Sequence, residues 1–141
     1  MRSWRSPYSN ESERQLDPDF EIAVSPPAVS DGIVSVAAVG EDPGGFTVAT
    51  FSNTGANIAG PGVKIVSAKA GGGLATMSGT SMACPHVAGV AALWTEKVNA
   101  IGPFTTAHVT HRLLASGVTD KMKTGFDPFD IGTGMVRAPQ A

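Results

Sequence analysis

The chain of 141 residues has little of several residue types that define whole classes of protein. Its one cysteine, Cys84, excludes an intrachain disulfide framework and any zinc site built from several cysteines. Charged residues make up 16% of the sequence and the net charge is −2, so no overall basic charge favours nucleic-acid binding. The longest uninterrupted apolar stretch, Val87 to Trp94, is far shorter than the roughly 20 residues that a membrane span needs. We therefore expect neither nucleic acid nor membrane as a partner.

Residues 15–62 have no basic side chain, and residues 1–8 do not have the pattern of an export signal. Between Gln15 and Gly62 there is no Lys, Arg or His, and the six acidic residues there are most simply explained as a solvated acidic face. Residues 1–8 are basic, but no apolar segment follows them, so they are not expected to act as a secretory signal. The sequence by itself leaves the localisation unknown.

The sequence is rich in turn-forming residues, with 17 glycines and 10 prolines. It also has enough apolar residues to form one modest core. Residues 1–31 are proline-punctuated and are predicted to be mostly loop. The β-branched run Ile33–Val39, bounded by glycines, predicts a strand buried on both faces, as in a parallel sheet. Two further strands are predicted at Phe46–Phe51 and Val63–Ala68. Gly60-Pro61-Gly62 is interpreted as a breaker between them.

The second half of the chain changes to a helical pattern. Residues 80–98 are apolar on nearly every side, which predicts a helix buried in the middle of a domain, with Pro85 in its first turn. A second helix is predicted over Thr105–Ser116, with Thr105 as its cap and Gly117 as its stop. The tail from Gly125 onward is predicted to form turns. Strands followed by a buried helix predict an α/β fold with a partial parallel sheet flanked by helices.

Ser81 stands at the start of the predicted buried helix, just after Gly79 and Thr80. A nucleophilic oxygen there would lie at the positive end of the helix dipole, with its own backbone N–H facing any oxyanion that attack creates. Position alone favours a simpler role, because a serine before an apolar helix is usually an N-cap. An α/β-hydrolase elbow is a weaker alternative, since Ala83 occupies the place of that motif's second glycine.

The sequence around Ser81 decides between these interpretations. Residues 79–93, GTSMACPHVAGVAAL, closely resemble the nucleophile segment of the subtilisin-like serine peptidases, the subtilases. Upstream, residues 27–63 resemble the strands and turns that precede the family's catalytic serine, and downstream residues 132–141 resemble its closing Gly-x-Gly segment. The resemblance implies the subtilisin-like α/β fold, peptide-bond hydrolysis through an acyl-enzyme on Ser81, and polypeptide substrates. Calcium sites occur among relatives but none can be read here, and no cofactor is expected.

A second site residue follows from the same resemblance. Asn10-Glu11-Ser12 is similar to the family's Gly-Asn-Glu-Ser stretch, whose asparagine donates to the oxyanion, although Ser9 replaces the glycine. Residues 1–9 otherwise match nothing and are treated as an unmatched leader, with residues 10–141 as the C-terminal portion of the catalytic domain. The resemblance implies that Asn10 and Ser81 lie close together, within roughly 10 Å.

The general base is what the sequence does not supply. Only three histidines are present, and His86 lies five residues past Ser81, roughly 140° around the same helix, so it cannot reach the hydroxyl. His86 is expected to be a packed helix histidine and Cys84 a small buried residue. His108 and His111 are three residues apart on the later helix, where a solvated face is a simpler explanation than a metal pair.

The residues therefore indicate the C-terminal half of a subtilase catalytic domain. No Asp-Thr-Gly, Asp-Ser-Gly or His-Gly-Thr stands in the 141 residues. The chain alone is expected to be inactive and to need the missing N-terminal half as a partner. The alternative is a non-catalytic remnant that serves as a binding or structural module, with Ser81 merely capping its helix. Membership of the family would imply secretion.

Overall fold

The computed structural model describes residues 22–140, which form two β-sheets and three helices. The strands are β1 (Val36–Asp42), β2 (Gly45–Val48), β3 (Ile58–Pro61), β4 (Ile65–Ala68) and β5 (Leu74–Met77). The helices are α1 (Thr80–Ile101), α2 (Thr106–Ala115) and α3 (Pro128–Ile131). The α/β fold class is confirmed. Within the described residues, no helix is both long and apolar enough to cross a membrane.

The central sheet has the strand order β2-β1-β3. Strand β1 runs parallel to β3, with Val36 beside Ile58, and antiparallel to β2, with Val39 beside Val48. Ala37, Ala38 and Val39 in the middle of β1 are at most 1% exposed. The prediction of a buried strand with a parallel partner is therefore confirmed for Val36–Val39. Residues 33–35 of the predicted strand precede β1, and Ile33 is 51% exposed.

The two faces of β1 belong to different parts of the core, because successive side chains alternate across a strand. Ala37 and Val39 pack with Ile131 of α3 on one face. Ala38 packs with Ala83 of α1 on the other. The sheet is thus covered on both sides, which is the layered arrangement expected of an α/β domain.

Two strands were not predicted from the sequence, and both are only four residues long. Strand β3 includes Gly60 and Pro61 of the supposed breaker, and its partner β1 lies 22 positions earlier in the register Val36 to Ile58. Strand β5 follows three glycines with positive φ and forms an antiparallel hairpin with β4. In both cases pairing with another strand, rather than local propensity, determines the structure.

Helix α1 begins at Thr80 as predicted and continues to Ile101, but Pro85 is its sixth residue and not part of the first turn. Within the described residues, α1 is buried on one side only, at Ala83, Val87 and Val98. The prediction that the helix is buried on nearly every side is therefore confirmed for that side and not for the other. Leu93 is 47% exposed. The side of α1 that includes Ser81 is exposed among the described residues.

Helix α2 matches its prediction closely. Thr105 is the N-cap, and its side-chain oxygen accepts a hydrogen bond from the His108 N–H at 3.1 Å. Val109 and Leu113 are buried, and Leu113 joins Val87 of α1 and Ile58 of β3 in one cluster. Helix α3 was not predicted, although Asp127 and Asp130 form a capping box around it.

Candidate active site

The start of helix α1 is fixed against the central sheet by a close approach of two backbone segments. The Gly79 N–H donates to the Gly62 carbonyl oxygen at 2.8 Å, just beyond the end of β3. A Cβ atom on Gly62 would lie 2.6 Å from Ala38 Cβ and 2.9 Å from the Gly79 oxygen, so only glycine fits there. The Gly-Pro-Gly segment therefore determines the position of the first turn of α1, which includes Ser81.

Substituting Gly62 by alanine tests that anchoring. The added methyl group must displace Ala38 or the start of α1, and we expect the free energy of unfolding to fall by about 1–3 kcal/mol, as for other overpacked cores. Gly89→Ala is the matched control, because nothing lies within 4 Å of a Cβ there and alanine favours a helix. Urea unfolding of the two variants measures both effects. Equal stabilities would contradict the anchoring role.

Ser81 does not cap the helix that it begins. The N-cap is Gly79, with no side-chain capping hydrogen bond, and Ser81 is the second residue of α1. Its side chain is exposed. The capping interpretation of Ser81 is thus wrong, because the helix already includes Thr80 and Ser81 itself.

The backbone N–H and C=O groups of Ser81 have no hydrogen-bond partner within α1. An N–H in the first turn has no carbonyl one turn earlier to bond, so it has no partner within α1. The first turn has no acidic residue, so no carboxylate of its own neutralises the positive end of this 22-residue helix. Pro85 lacks the N–H that would bond the Ser81 carbonyl oxygen. Ser81 thus presents a hydroxyl and an N–H donor at the same place.

The hydroxyl lies on the uncovered side of α1. At 100° per residue, Pro85, Ala88 and Ala92 lie within about 40° of Ser81 around the helix axis. All four residues are exposed. The buried residue Val87 lies on the opposite side, at roughly 120° from Ser81. A base that contacted the Ser81 hydroxyl would approach over this uncharged face.

None of the histidines is placed to do so. The His86 Nδ1–H donates to the Met82 carbonyl oxygen of its own helix at 2.8 Å, and the ring is exposed rather than packed. His108 accepts from the Arg112 Nε at 3.3 Å, and His111 is exposed. Their helix α2 packs on the buried side of α1, through Leu113 and Val87.

Two further predictions concern groups near the site. Cys84 is exposed, not buried as predicted, because its side of α1 is uncovered within the described residues. Asn10 lies outside the residues that the structure describes.

A surface depression lined by Glu41, Asp42 and Asp120 does not include Ser81. Across residues 22–140, no three His, Cys, Asp or Glu side chains cluster closely enough to hold a metal ion.

Comparisons with known proteins agree on one family. The model of the subtilase family matches residues 13–133. The chain is 49% identical over 76 residues to subtilisin-like protease 7 of Arthroderma gypseum, covering 52% of this chain and 18% of the relative. It is 50% identical over 68 residues to subtilisin-like protease 5 of Trichophyton tonsurans, covering 47% and 16%.

Solved structures give the same result. The S41 psychrophilic protease is 27% identical, with a TM-score of 0.70 over 83% of this chain and 44% of its own. The prenylagaramide maturation protease PagA is 32% identical, with a TM-score of 0.65 over 79% of this chain and 42% of its own. The chain thus spans less than half the length of these solved relatives.

Proposed function

Because this chain belongs to the subtilase family, we propose that it supplies the nucleophilic half of a serine endopeptidase site, with Ser81 as the nucleophile. The observation that carries the proposal is that Ser81 is exposed and is the second residue of α1, where its N–H has no partner within the helix. A serine with a purely structural role would be the N-cap, and that place is taken by Gly79.

The chemistry follows from these two groups. The Ser81 oxygen attacks a peptide carbonyl, its proton passes to a base, and the carbonyl oxygen becomes an oxyanion. The Ser81 N–H and the positive helix end stabilise that negative charge. Collapse then breaks the C–N bond, the amine leaves with the proton, and water hydrolyses the remaining ester on Ser81.

The base comes from a segment outside the described residues. Ser81, Pro85, Ala88 and Ala92 form an exposed face without a charged group, so a helix or strand can pack there closely and bring a histidine to the hydroxyl. We propose that this segment also carries the aspartate that orients the histidine, as in other Ser-His-Asp sites. The 141 residues and this segment together would form the peptidase.

Asn10 is proposed as the second oxyanion donor. The support is its place in the Asn-Glu-Ser stretch that resembles the family's oxyanion segment. The Ser81 N–H is a single donor, and oxyanion sites in acyl transfer use more than one hydrogen-bond donor. A second donor is therefore expected. Residues 10–141 would then hold both donors and the nucleophile, and polypeptides would be the substrates.

The purified 141-residue chain should not be labelled at Ser81 by a fluorophosphonate probe, because no described base lies near enough to activate the hydroxyl. Adding a subtilase segment that carries the catalytic aspartate and histidine should restore labelling, detected by mass spectrometry of the peptide that contains Ser81. The Ser81→Ala chain is the control. Stoichiometric labelling of the unsupplemented monomer would show that this chain activates Ser81 without that segment.

A further inference from the structure

The turn that leads from strand β5 into helix α1 joins two parts of the molecule that are held very differently. Val63, just before the hairpin, packs against a buried cluster of the core. The β4–β5 hairpin forms a sheet of its own, and none of residues 65–77 is buried. Ser81 stands four residues after the hairpin ends at Met77. Motion of the hairpin would therefore reach Ser81 unless the residues between them are fixed.

Lys64 lies where the core-anchored chain enters the hairpin, and its backbone conformation is unusual. Its φ is 55°, and among residues 22–140 it is the one residue other than glycine with a positive φ. This left-handed region is unfavourable for a residue with a Cβ atom, and it persists only where the surrounding structure holds it. Lys64 is exposed, so packing of its side chain does not supply that restraint.

A hydrogen bond to the Ser78 side chain restrains Lys64 from across the base of the hairpin. The Lys64 N–H donates to the Ser78 hydroxyl oxygen at 2.9 Å. In the register of the hairpin these two residues lie opposite each other, one position beyond the last pair of β4 and β5, Ile65 and Met77. The Ser78 side chain thus closes the base of the hairpin where the main-chain ladder has ended.

Gly79, the residue after Ser78, is the point at which the chain leaves the hairpin and begins the turn around Ser81. Its N–H donates to the Gly62 oxygen at 2.8 Å, and its carbonyl oxygen accepts from the Met82 N–H at 3.0 Å. Glycine has more backbone freedom than any other residue, so the direction in which α1 starts depends on how the neighbours of Gly79 are held. The hydrogen bond of Ser78 holds the neighbour on the hairpin side.

We propose that Ser78 is a positioning residue for Ser81: its hydroxyl, bonded to the Lys64 N–H, holds the start of α1 in the orientation in which the Ser81 hydroxyl reacts. The reaction at Ser81 rests on the proposed function. Ser78 contacts neither the substrate nor the base, and it acts through its peptide bond to Gly79 and the turn that follows. A displacement of about 1 Å at a reacting group is enough to lower a rate by up to about two orders of magnitude.

The test removes the Ser78 hydroxyl and measures the rate of each reactive site. Ser78→Ala is made in the 141-residue chain, supplemented with the subtilase segment that carries the catalytic aspartate and histidine. Titration with a fluorophosphonate probe gives the number of reactive Ser81 sites, and hydrolysis of a chromogenic peptide gives KM and kcat per titrated site. Ser67→Ala is the matched control, because Ser67 is an exposed serine on β4 of the same hairpin, nearer its tip.

We expect Ser78→Ala to lower kcat per titrated site by about tenfold and to change KM by less than about twofold. Ser67→Ala should leave both constants within about twofold of those of the unaltered chain. Ser78→Thr, which keeps the hydroxyl, should restore kcat. A role in stability alone would lower the number of titrated sites and leave kcat per site as it was. That result, or no recovery with threonine, would overturn the proposal.

Lys64→Gly keeps the proposal testable if Ser78→Ala alone folds poorly. Glycine adopts the left-handed conformation without the steric cost to lysine, so the chain then needs the Ser78 hydroxyl less. In the Lys64→Gly chain, Ser78→Ala should lower kcat per site by less than about threefold. An equal loss in both backgrounds would show that Ser78 does not act through Lys64 and would overturn the proposal. Absence of titrated sites in the unaltered supplemented chain would instead overturn the proposed function, and this role with it.

Discussion

Replacing Ser81 by alanine, in this chain supplemented with the segment that carries the catalytic aspartate and histidine, should lower kcat by about 10⁶-fold. This magnitude is the one established for subtilisin, a member of the same family, and does not come from the present structure. The physical reason is that alanine removes the hydroxyl oxygen that is proposed to form the acyl-enzyme at the start of α1. Hydrolysis of a chromogenic peptide, with kcat and KM measured separately, gives the result.

Cys84 provides the control for this experiment. It is exposed and lies one turn beyond Ser81, so a thiol is the nearest alternative nucleophile on the same helix. Cys84→Ala should change kcat by less than about threefold, because the N–H without an intrahelical partner is at Ser81 and not at Cys84, which lies inside the helix. If the alanine at position 84 abolished activity while Ser81→Ala did not, the nucleophile would have been assigned to the wrong residue.

The parts of the fold that the sequence predicts are those decided locally. Thr105 caps α2 because a threonine side chain bonds the N–H three residues later, and both partners are adjacent in the chain. The run Ile33–Val39, which leads into β1, contains four β-branched residues, so a buried strand is predictable from a few neighbouring residues.

The elements that were missed depend on distant partners. Strand β3 contains Gly60 and Pro61, which individually disfavour a strand, yet Ile58–Pro61 pairs with β1 and packs under Val87. Strand β5 follows Gly73 and exists only because β4 lies beside it. The four residues of each strand do not by themselves show which strand they pair with.

Exposure in the site could not be predicted for a related reason. The apolar residues of α1 are apparent from the sequence, but which of their sides is covered depends on what packs against the helix. Ala83 and Val87 pack against the central sheet, whereas Cys84, Ala88 and Ala92 are exposed. The close approach at Gly62 was equally hidden, since a Gly-Pro-Gly breaker looks the same whether or not a helix end lies against it.

Replacing Asn10 by alanine tests the other half of the proposed oxyanion site. In the supplemented enzyme, Asn10→Ala should lower kcat by about 10²–10³-fold while KM changes little, because the donor bonds the oxygen only once it carries the negative charge. The magnitude is again the one known for the asparagine that donates to the oxyanion in subtilisin. Kinetics with the chromogenic peptide measure both constants.

Asn10→Asp is the isosteric control, since the side chain keeps its size but exchanges the N–H₂ donor for a carboxylate oxygen. A negative charge beside an oxyanion is repelled by it, so this variant should lose at least as much kcat as Asn10→Ala. The Ser81 N–H and the helix end remain in both variants, and they account for the activity that is left. An unaltered kcat in Asn10→Ala would remove Asn10 from the site. A raised KM at constant kcat would instead place it in substrate binding, because that pattern reports an interaction equally strong in ground and transition states.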